Sequence, residues 1–457
     1  MNRWIRPGAI AGVVAGATVA ASLLGAQALP ATPFAASETR VSVVCPGFES
    51  PTATVRVAAV ATGQGLRTAP VAKPAQGSEA SGLHVVGAPG TPLRVSALLP
   101  DPFGATTSVS AEAGGDRGLS AAACMPPATD HWFTGVDIRP VAQSEVVVAN
   151  LDGTPVSVDL TAYGQDGRFA APRGVRVDGN SVQTISLGTL DRLAGPITLE
   201  VSSSDGRVAA FVRQRTWQAD VPLGADWLEA SSAPATALVV PGIPAGEGVR
   251  TLVLTNPGDR TATVTVGSLG KGGPAGLAGI DQVEVPPETT RSVDLVTGLD
   301  GQPGALTITA TQPVTAGVWL DAGGGDARHD PAYTVATRPL PGDSVLPLAV
   351  GRGASTLLQL ANPGAEEATV TMTLTAGTNA TPGQPQAITV PPGSVVEVPL
   401  ARADAAAVRL QTGATDLRGA LVSAARLGRV RGLAVIDWSA DETRGAAPAV
   451  FDPHAGS

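Results

Sequence analysis

One stretch of this chain occurs three times, and the spacing of its copies restricts the folds that the chain can adopt. The copies begin at residues 146, 252 and 357, and each passes from an apolar run through an asparagine turn into alternating residues. The asparagines of these turns are Asn150, Asn256 and Asn362, so the repeat length is 106 residues in both intervals (256 − 150 and 362 − 256). That length is too great for a solenoid repeat, and it suits one whole β-sandwich.

The local pattern within each copy predicts antiparallel strands joined by tight turns. Val370, Met372 and Leu374 alternate with threonines, which is the period of a half-buried strand. Proline presets φ, and glycine or asparagine tolerates a positive φ, so the N-P-G sequences favour turns between the strands. The predicted turn residues are Asn150, Asn256, Pro257, Gly258, Asn362, Pro363 and Gly364.

The repeats divide the chain into predicted domains, and we expect an all-β protein of tandem β-sandwiches behind an N-terminal signal or anchor helix. The N-terminal β domain that precedes the three repeats has strand-like segments but does not match the repeat template well. The predicted boundaries are 1–36 for the signal peptide or anchor, 37–130 for the N-terminal β domain, and 131–235, 236–342 and 343–457 for the three sandwich repeats.

The N-terminus has the features of an export signal. Arg3 and Arg6 precede an uncharged run over residues 8–29, and Ala26-Gln27-Ala28 matches a cleavage site. An uncleaved membrane anchor remains an alternative, because a run of this length can span a bilayer. With either outcome we expect the bulk of the chain to lie outside the cytoplasm, secreted or anchored to the membrane by this segment alone.

Charge and cysteine content narrow the classes of function. The net charge of −9 and the lack of a basic block argue against a nucleic-acid partner. Cys45 and Cys124 both lie in the N-terminal domain, and two exported cysteines are expected to form a disulfide. The alternative, a nucleophilic thiol, needs a histidine partner, and the spacing of His84 and His131 indicates none.

An aromatic residue accompanies each predicted domain entry, namely Trp132, Trp227 and Tyr333. The last two each precede their repeat asparagine by 29 residues (256 − 227 and 362 − 333). Such a residue can be an exposed platform for a sugar ring or a buried anchor between neighbouring domains. The large apolar area of aromatic side chains favours the buried anchor.

Motifs for catalysis and cofactor binding are absent from the sequence. It contains no G-x-S-x-G, H-E-x-x-H, C-x-x-C or Walker A motif, so we expect neither an enzyme nor a cofactor. One polar cluster contains Asp321, Asp326, His329 and Asp330, whose side chains suit calcium or zinc. Aspartate is also common in Gly-rich connections between strands, and the other repeats have no such cluster, so we expect no metal site.

Several short motifs point to one family. They are the C-P-G at Cys45, the sequence CMPPATDHWF that begins at Cys124, the pair Asp226-Trp227 and the N-P-G turns. Together with the exported N-terminus, they resemble DUF5719, a family of exported actinobacterial proteins of unknown function. The resemblance implies an envelope protein of a high-GC Gram-positive bacterium and supplies no catalytic residues. The N-P-G units also resemble bacterial immunoglobulin-like modules, which implies immunoglobulin-like sandwiches and no particular ligand.

These features favour a non-enzymatic extracytoplasmic protein of the cell envelope. We expect a tandem β-sandwich scaffold or adhesion module whose partner is another envelope protein. The alternative is a binding module for a cell-wall glycan or another envelope component. Sugar-binding sandwiches usually display aromatic platforms, and aromatic residues make up only 3% of this chain, which favours the protein partner.

Overall fold

Antiparallel β-strands, in which apolar and polar residues alternate, follow one another along nearly the whole described chain. The computed structural model describes residues 40–87, 89–188, 190, 195–280, 282–321, 323, 330–348, 353–379, 381–400 and 405–438. The predicted signal or anchor segment lies outside these residues. Within them, no helix is long and apolar enough to cross a membrane.

The strands form four consecutive sets, modules 1 to 4, over residues 40–123, 130–228, 235–335 and 343–438. Module 1 contains β1 (Arg40–Cys45), β2 (Thr54–Ala61), β3 (Leu66–Pro70), a 3-10 turn (Pro74–Gln76), β4 (Ser78–Ala80), β5 (Leu83–Gly87), β6 (Leu93–Leu98), β7 (Phe103–Ala111) and β8 (Gly118–Ala123). Module 2 contains β9 (Asp130–Asp137), β10 (Ala142–Asn150), β11 (Val156–Gly164), β12 (Gly167–Phe169), β13 (Val175–Val177), β14 (Ser181–Ser186), β15 (Pro196–Ser203), β16 (Ala209–Gln218) and β17 (Val221–Leu228).

The second half of the chain continues in the same way. Module 3 contains β18 (Ala235–Ile243), β19 (Arg250–Asn256), β20 (Ala262–Gly270), β21 (Gly273–Gly276), β22 (Val283–Val285), β23 (Thr289–Asp294), the short helix α1 (Val296–Leu299), β24 (Gly304–Asp321) and β25 (Pro331–Val335). Module 4 contains β26 (Asp343–Pro347), β27 (Ser355–Asn362), β28 (Ala368–Ala376), β29 (Thr381–Pro382), β30 (Gln386–Val390), β31 (Ser394–Pro399), β32 (Ala405–Thr412), β33 (Arg418–Leu427) and β34 (Val430–Trp438).

All four modules share one strand order. Module 1 has sheets β1-β6-β3-β4 and β5-β2-β7-β8, module 2 has β9-β15-β11-β12 and β14-β10-β16-β17, and module 4 has β26-β32-β28-β29 and β31-β27-β33-β34. In module 3 the strands corresponding to β6 and β7 are one strand, β24, which pairs with β18 and β20 and then with β19 and β25. Module 1, whose sequence does not match the repeat template well, therefore has the same topology as the three repeats.

Each module encloses a core between its two sheets, because inward side chains alternate with outward ones along every strand. In module 2, Phe133, Leu160 and Leu199 come from one sheet, and Val148 and Val212 come from the other. All five side chains are at most 1% exposed. The protein is thus all-β, as the sequence predicted.

A disulfide joins the two sheets of module 1. Cys45 ends β1 and Cys124 follows β8, and these strands belong to different sheets. The sulfur atoms are bonded, and the two Cα atoms are 4.3 Å apart. The predicted disulfide is confirmed, and the alternative of a nucleophilic thiol is wrong.

The last strands of the modules pack against one another within the unit that starts at Arg40. β8 contacts β17 and β34, and β25 contacts the same two strands. Module 1 also packs on module 4, where Val60 shares an apolar cluster with Val345 and Ala407. The contacts between modules therefore form a closed cycle, in which the first module touches the last.

Candidate functional site

The three repeat asparagines end β10, β19 and β27, and each side chain holds two loops together. Asn256 Oδ1 accepts a hydrogen bond from the Gly258 N–H at 3.0 Å, and its Nδ2 donates to the carbonyls of Arg260 at 2.6 Å and Val285 at 3.0 Å. The asparagines of the other two copies make the equivalent bonds. These buried residues stabilise the modules and offer nothing to a ligand.

The glycines of the predicted N-P-G turns do not use a positive φ. Gly258 and Gly364, which follow Pro257 and Pro363, do not have a positive φ. Each donates its N–H to the asparagine two residues earlier. In module 2, Asp152 donates the same bond at 2.9 Å, so the turn accepts a side chain at this position.

A left-handed residue lies instead at the second turn of each repeat, directly before the strand that pairs with the asparagine strand. Asn180, Glu288 and Gly393 occupy this position with φ values of 50°, 54° and 61°. Asparagine and glycine adopt this conformation readily, whereas glutamate is strained in it. The three repeats thus share a backbone geometry that their sequences do not make obvious.

The predicted aromatic residues are all buried, with Trp132 9%, Trp227 3% and Tyr333 5% exposed. Trp227 packs against Phe48 of module 1, with the ring centroids 5.9 Å apart, and Tyr333 belongs to the core cluster of module 2. Trp227 and Tyr333 lie in the last strands of modules 2 and 3, so they do not mark the entry of the following module. None of the three is an exposed platform for a sugar ring.

The candidate metal ligands do not form a common site among the described residues. Asp326 and His329 lie outside the described residues. Asp330 accepts hydrogen bonds from two backbone N–H groups, and Asp321 accepts one from Gly323 N at 2.6 Å. Across the described part of the chain, no group of three or more His, Cys, Asp or Glu side chains is arranged to hold a metal ion.

Four acids, the junction carboxylates Asp226, Glu229, Asp330 and Asp437, lie where the last strands of the modules meet. Glu229 is half-buried and the other three are buried. Each last strand is an edge of its sheet, so its outward N–H groups need partners from elsewhere. Glu229 of the segment after β17 accepts from Ala123 N in module 1 at 2.5 Å and from Asp437 N in module 4 at 3.0 Å. One side chain thus connects three modules.

Asp330 makes a second connection of the same kind. Its Oδ2 accepts from Leu119 N in module 1 at 2.9 Å and from Leu433 N in module 4 at 2.8 Å. The close approach requires a glycine at Gly118, where an added Cβ would lie 1.8 Å from Asp330 Oδ1 and φ is +105°. The junction carboxylates therefore act as hydrogen-bond acceptors for edge strands of neighbouring modules.

Burial raises the pKa of all four junction carboxylates, because desolvation penalises the charged form. The pKa of Asp437 rises from 3.8 to about 7, against the opposing effect of hydrogen bonds from Thr334 and Val335. For Glu229, the nearby charge of Asp437 raises the pKa further. Raised carboxyl pKa values also occur in acid–base catalysis, but here each of the four carboxylates accepts at least one hydrogen bond from a backbone amide.

A basic cleft of about 270 Å³ lies on module 1, in a protein whose net charge is −9. The residues that line it are Arg40, Ser42, Arg67, Ala69, Pro74, Arg94 and Ser96. The sequence pointed to Asp226 only as part of a family motif and to Asp330 only as a metal candidate, and it indicated neither this cleft nor the junction. Only the fold brings the members of each group together.

Comparisons with known proteins place the chain in a family without assigning an activity. A family model described as a family of unknown function, DUF5719, matches residues 71–401. No curated protein matches the chain. Among solved structures, the chain is similar to a tetra-tandem repeat in the extending region of a large adhesion protein. The identity is 13%, 87% of this chain and 98% of that chain are covered, and the TM-score is 0.11, a value that supports no argument about fold or function.

Proposed function

This chain belongs to the DUF5719 family, whose function is unknown, and we propose that it is a non-enzymatic protein of the cell envelope. In this proposal the four modules form a scaffold that presents a surface to another envelope protein. The N-terminal segment carries the chain out of the cytoplasm and either is removed or anchors it to the membrane.

The junction carboxylates are the observation that carries this proposal. Glu229 and Asp330 each accept backbone hydrogen bonds from two other modules, so the modules support one another. Acids that could serve in acid–base chemistry are thereby committed to the fold. A set of interlocked sandwiches suits a protein that holds its surface residues in fixed positions for a partner.

Crosslinking in intact cells with a C-terminally tagged chain tests the proposal. We expect one dominant protein to be captured. Because the modules interlock, the interface is better mapped by surface substitutions than by deleting a module. Val141 and Val221 are 39% and 50% exposed in module 2, and the matched control is Val296, which is 38% exposed in module 3. Capture that is lost in V141D/V221D and kept in V296D places the interface on module 2.

A second candidate is the binding of a wall glycan or another envelope component. The basic cleft favours it, since acidic polymers are ligands for grouped arginines. Recovery of wall glycan without any protein in the crosslinking experiment would replace the first proposal with the second. The buried state of Trp132, Trp227 and Tyr333 argues against binding of a neutral sugar by aromatic stacking at these positions.

A further inference from the structure

Three arginines lie on the outward face of the β1-β6-β3 sheet of module 1. Arg67 and Ser42 are the cross-strand partners of Ser96. Arg94 lies two residues before Ser96, and Arg40 lies two residues before Ser42. Side chains two residues apart share a face of a strand, so all three arginines line the same cleft. The intervening residues of these strands belong to the core.

Most of the hydrogen-bonding capacity of these arginines is unused by the described residues. Arg40 and Arg67 each donate one hydrogen bond to a backbone carbonyl of module 1, and Arg94 donates one to the carbonyl of Leu151 in module 2 at 3.0 Å. A guanidinium carries five N–H donors in a planar fork. The Nε of Arg94 is buried and has no hydrogen-bond partner in the described part of the chain.

No carboxylate of the described residues forms an ion pair with these three side chains. Glu79 is the cross-strand partner of Arg67 but is exposed at the sheet edge. The charge of Asp152 acts to raise the pKa of Arg94, but the two side chains do not form an ion pair. Burial and the charge of Arg67 oppose Asp152, and the pKa of Arg94 is lowered on balance. The cleft thus gathers three positive charges without neutralising them.

In the corresponding sheet of module 4, an acidic side chain neutralises the arginine on the outward face. Arg409 on β32 lies on the outward face there, and its Nε donates a hydrogen bond to Oδ1 of Asp343 on the neighbouring strand β26 at 2.8 Å. The second guanidinium nitrogen bonds the other carboxylate oxygen, so the pair is bidentate. Module 1 has no acid in this role among its described residues, and an external anion would take its place.

We propose that the cleft of module 1 binds a phosphate group, with Arg40, Arg67 and Arg94 as its donors. A tetrahedral phosphate offers acceptor oxygens in several directions, which suits three arginines that line one cleft better than a flat carboxylate does. The volume of about 270 Å³ lies just below the roughly 300–1,000 Å³ of pockets for drug-sized ligands, so the site fits a phosphate and a small group esterified to it. This site is independent of the protein partner proposed above.

Titration of inorganic phosphate into the purified full-length protein, at constant ionic strength, tests the site. Calorimetry gives the affinity, and the melting temperature gives a second readout. The variants are Arg67→Gln and the double variant Arg40→Gln/Arg67→Gln. Arg94 is left intact because it also contacts module 2. The control is Arg176→Gln, which removes the same charge from an exposed ion pair with Asp178.

We expect the wild type and R176Q to bind phosphate equally and R67Q to bind about tenfold more weakly, since one charge-assisted donor is lost. The double variant should show no rise in melting temperature with phosphate. Without phosphate, both cleft variants should be at least as stable as the wild type, because they relieve repulsion between like charges. Acetate should bind more weakly than phosphate to the wild type.

Equal phosphate affinity in the wild type and the double variant would overturn the proposal, as would no binding to the wild type at about 10 mM. A cleft variant that gains stability with no change in phosphate affinity would show that the arginines repel one another but do not bind phosphate. Once phosphate binds, glycerol 3-phosphate and vesicles of phosphatidylglycerol distinguish a soluble or polymeric phosphate ester from a lipid headgroup. Binding of either one supports the site, and the two results differ in the natural source of the phosphate group.

Discussion

Modules 1 and 3 reach the same strand order with different local chemistry. In module 3, Asn256 accepts from and donates to backbone groups of two loops. In module 1, the turn after β2 has the sequence TGQG and no asparagine. Its two sheets are joined instead by the disulfide between Cys45 and Cys124. One topology can therefore be stabilised by a hydrogen-bonded turn or by a covalent link.

The difference explains why the repeat is visible in three modules and hidden in the first. The recurring sequence reflects the chemistry of one turn, because the short amide side chain of asparagine supplies both an acceptor and two donors at that place. The strand order itself depends on the alternation of apolar residues, which many sequences satisfy. Four predictions follow from this difference. They concern the disulfide, the asparagine turn, the junction between modules, and the left-handed position that the three repeats share.

Removing the disulfide should have the largest effect. The double variant Cys45→Ser/Cys124→Ser opens a loop that spans 79 residues, which corresponds to a loss of about 4.5 kcal/mol in the chain-entropy model. Denaturant unfolding with and without a reducing agent measures it. Hydrogen exchange should be faster in β2 and β7, whereas β19 and β20 of module 3 should change little. Equal stability of the oxidised and reduced protein would contradict the role assigned to the disulfide.

Removing the asparagine clamp of module 3 should have the next largest effect. Asn256→Ala deletes four hydrogen bonds of a buried side chain and leaves carbonyl groups unsatisfied, for a loss of about 3 kcal/mol in unfolding free energy. The matched control is Thr62→Ala in the corresponding turn of module 1, whose single exposed hydrogen bond should contribute less than about 1 kcal/mol. Similar losses in both variants would remove the distinction between the modules.

The raised pKa values of the junction carboxylates predict that the stability of the protein depends on pH. Asp437 has a pKa of about 7 in the folded state and 3.8 as its ordinary value, so the folded state binds more protons between these values. Stability should therefore fall as pH rises through this window, by about 2 kcal/mol between roughly pH 5 and 6.5 for this one group. The directions for Asp226, Glu229 and Asp330 are the same.

Thermal unfolding across this pH range, in the wild type and in Asp437→Asn, measures the effect. The amide does not titrate, so the variant should lose part of the slope while the remaining junction carboxylates keep the rest. A wild type whose stability rises between pH 5 and pH 7 would show that these acids are charged in the folded protein. An unchanged slope in the variant would assign the pH dependence to other groups.

The sequence predicted some of these features and not others, for physical reasons. The strands and the two-sheet domains follow from local alternation, and the pairing of Cys45 with Cys124 follows from the expectation that two cysteines of an exported chain form a disulfide. The junction carboxylates could not be predicted, because Glu229 contacts amide groups more than 100 residues away in both directions (229 − 123 = 106 and 437 − 229 = 208). The arginine cleft was missed because alternation identifies the outward face of a strand but not what lies opposite it.

The smallest effect concerns the left-handed position that modules 2, 3 and 4 share. Glu288 has a φ of 54°, whereas Asn180 and Gly393 fill the same position in the other two modules. Glu288→Asn should stabilise the protein by about 0.5–1 kcal/mol, because asparagine adopts this conformation at lower cost. The ion pair that is lost, between Arg168 and Glu288 at 3.6 Å, is about half exposed on each side and should offset little of the gain. Asn180→Glu, measured by the same denaturant unfolding, should produce a loss of similar size. If both substitutions are neutral, this turn relaxes freely, and the shared backbone geometry does not constrain the residue at that position.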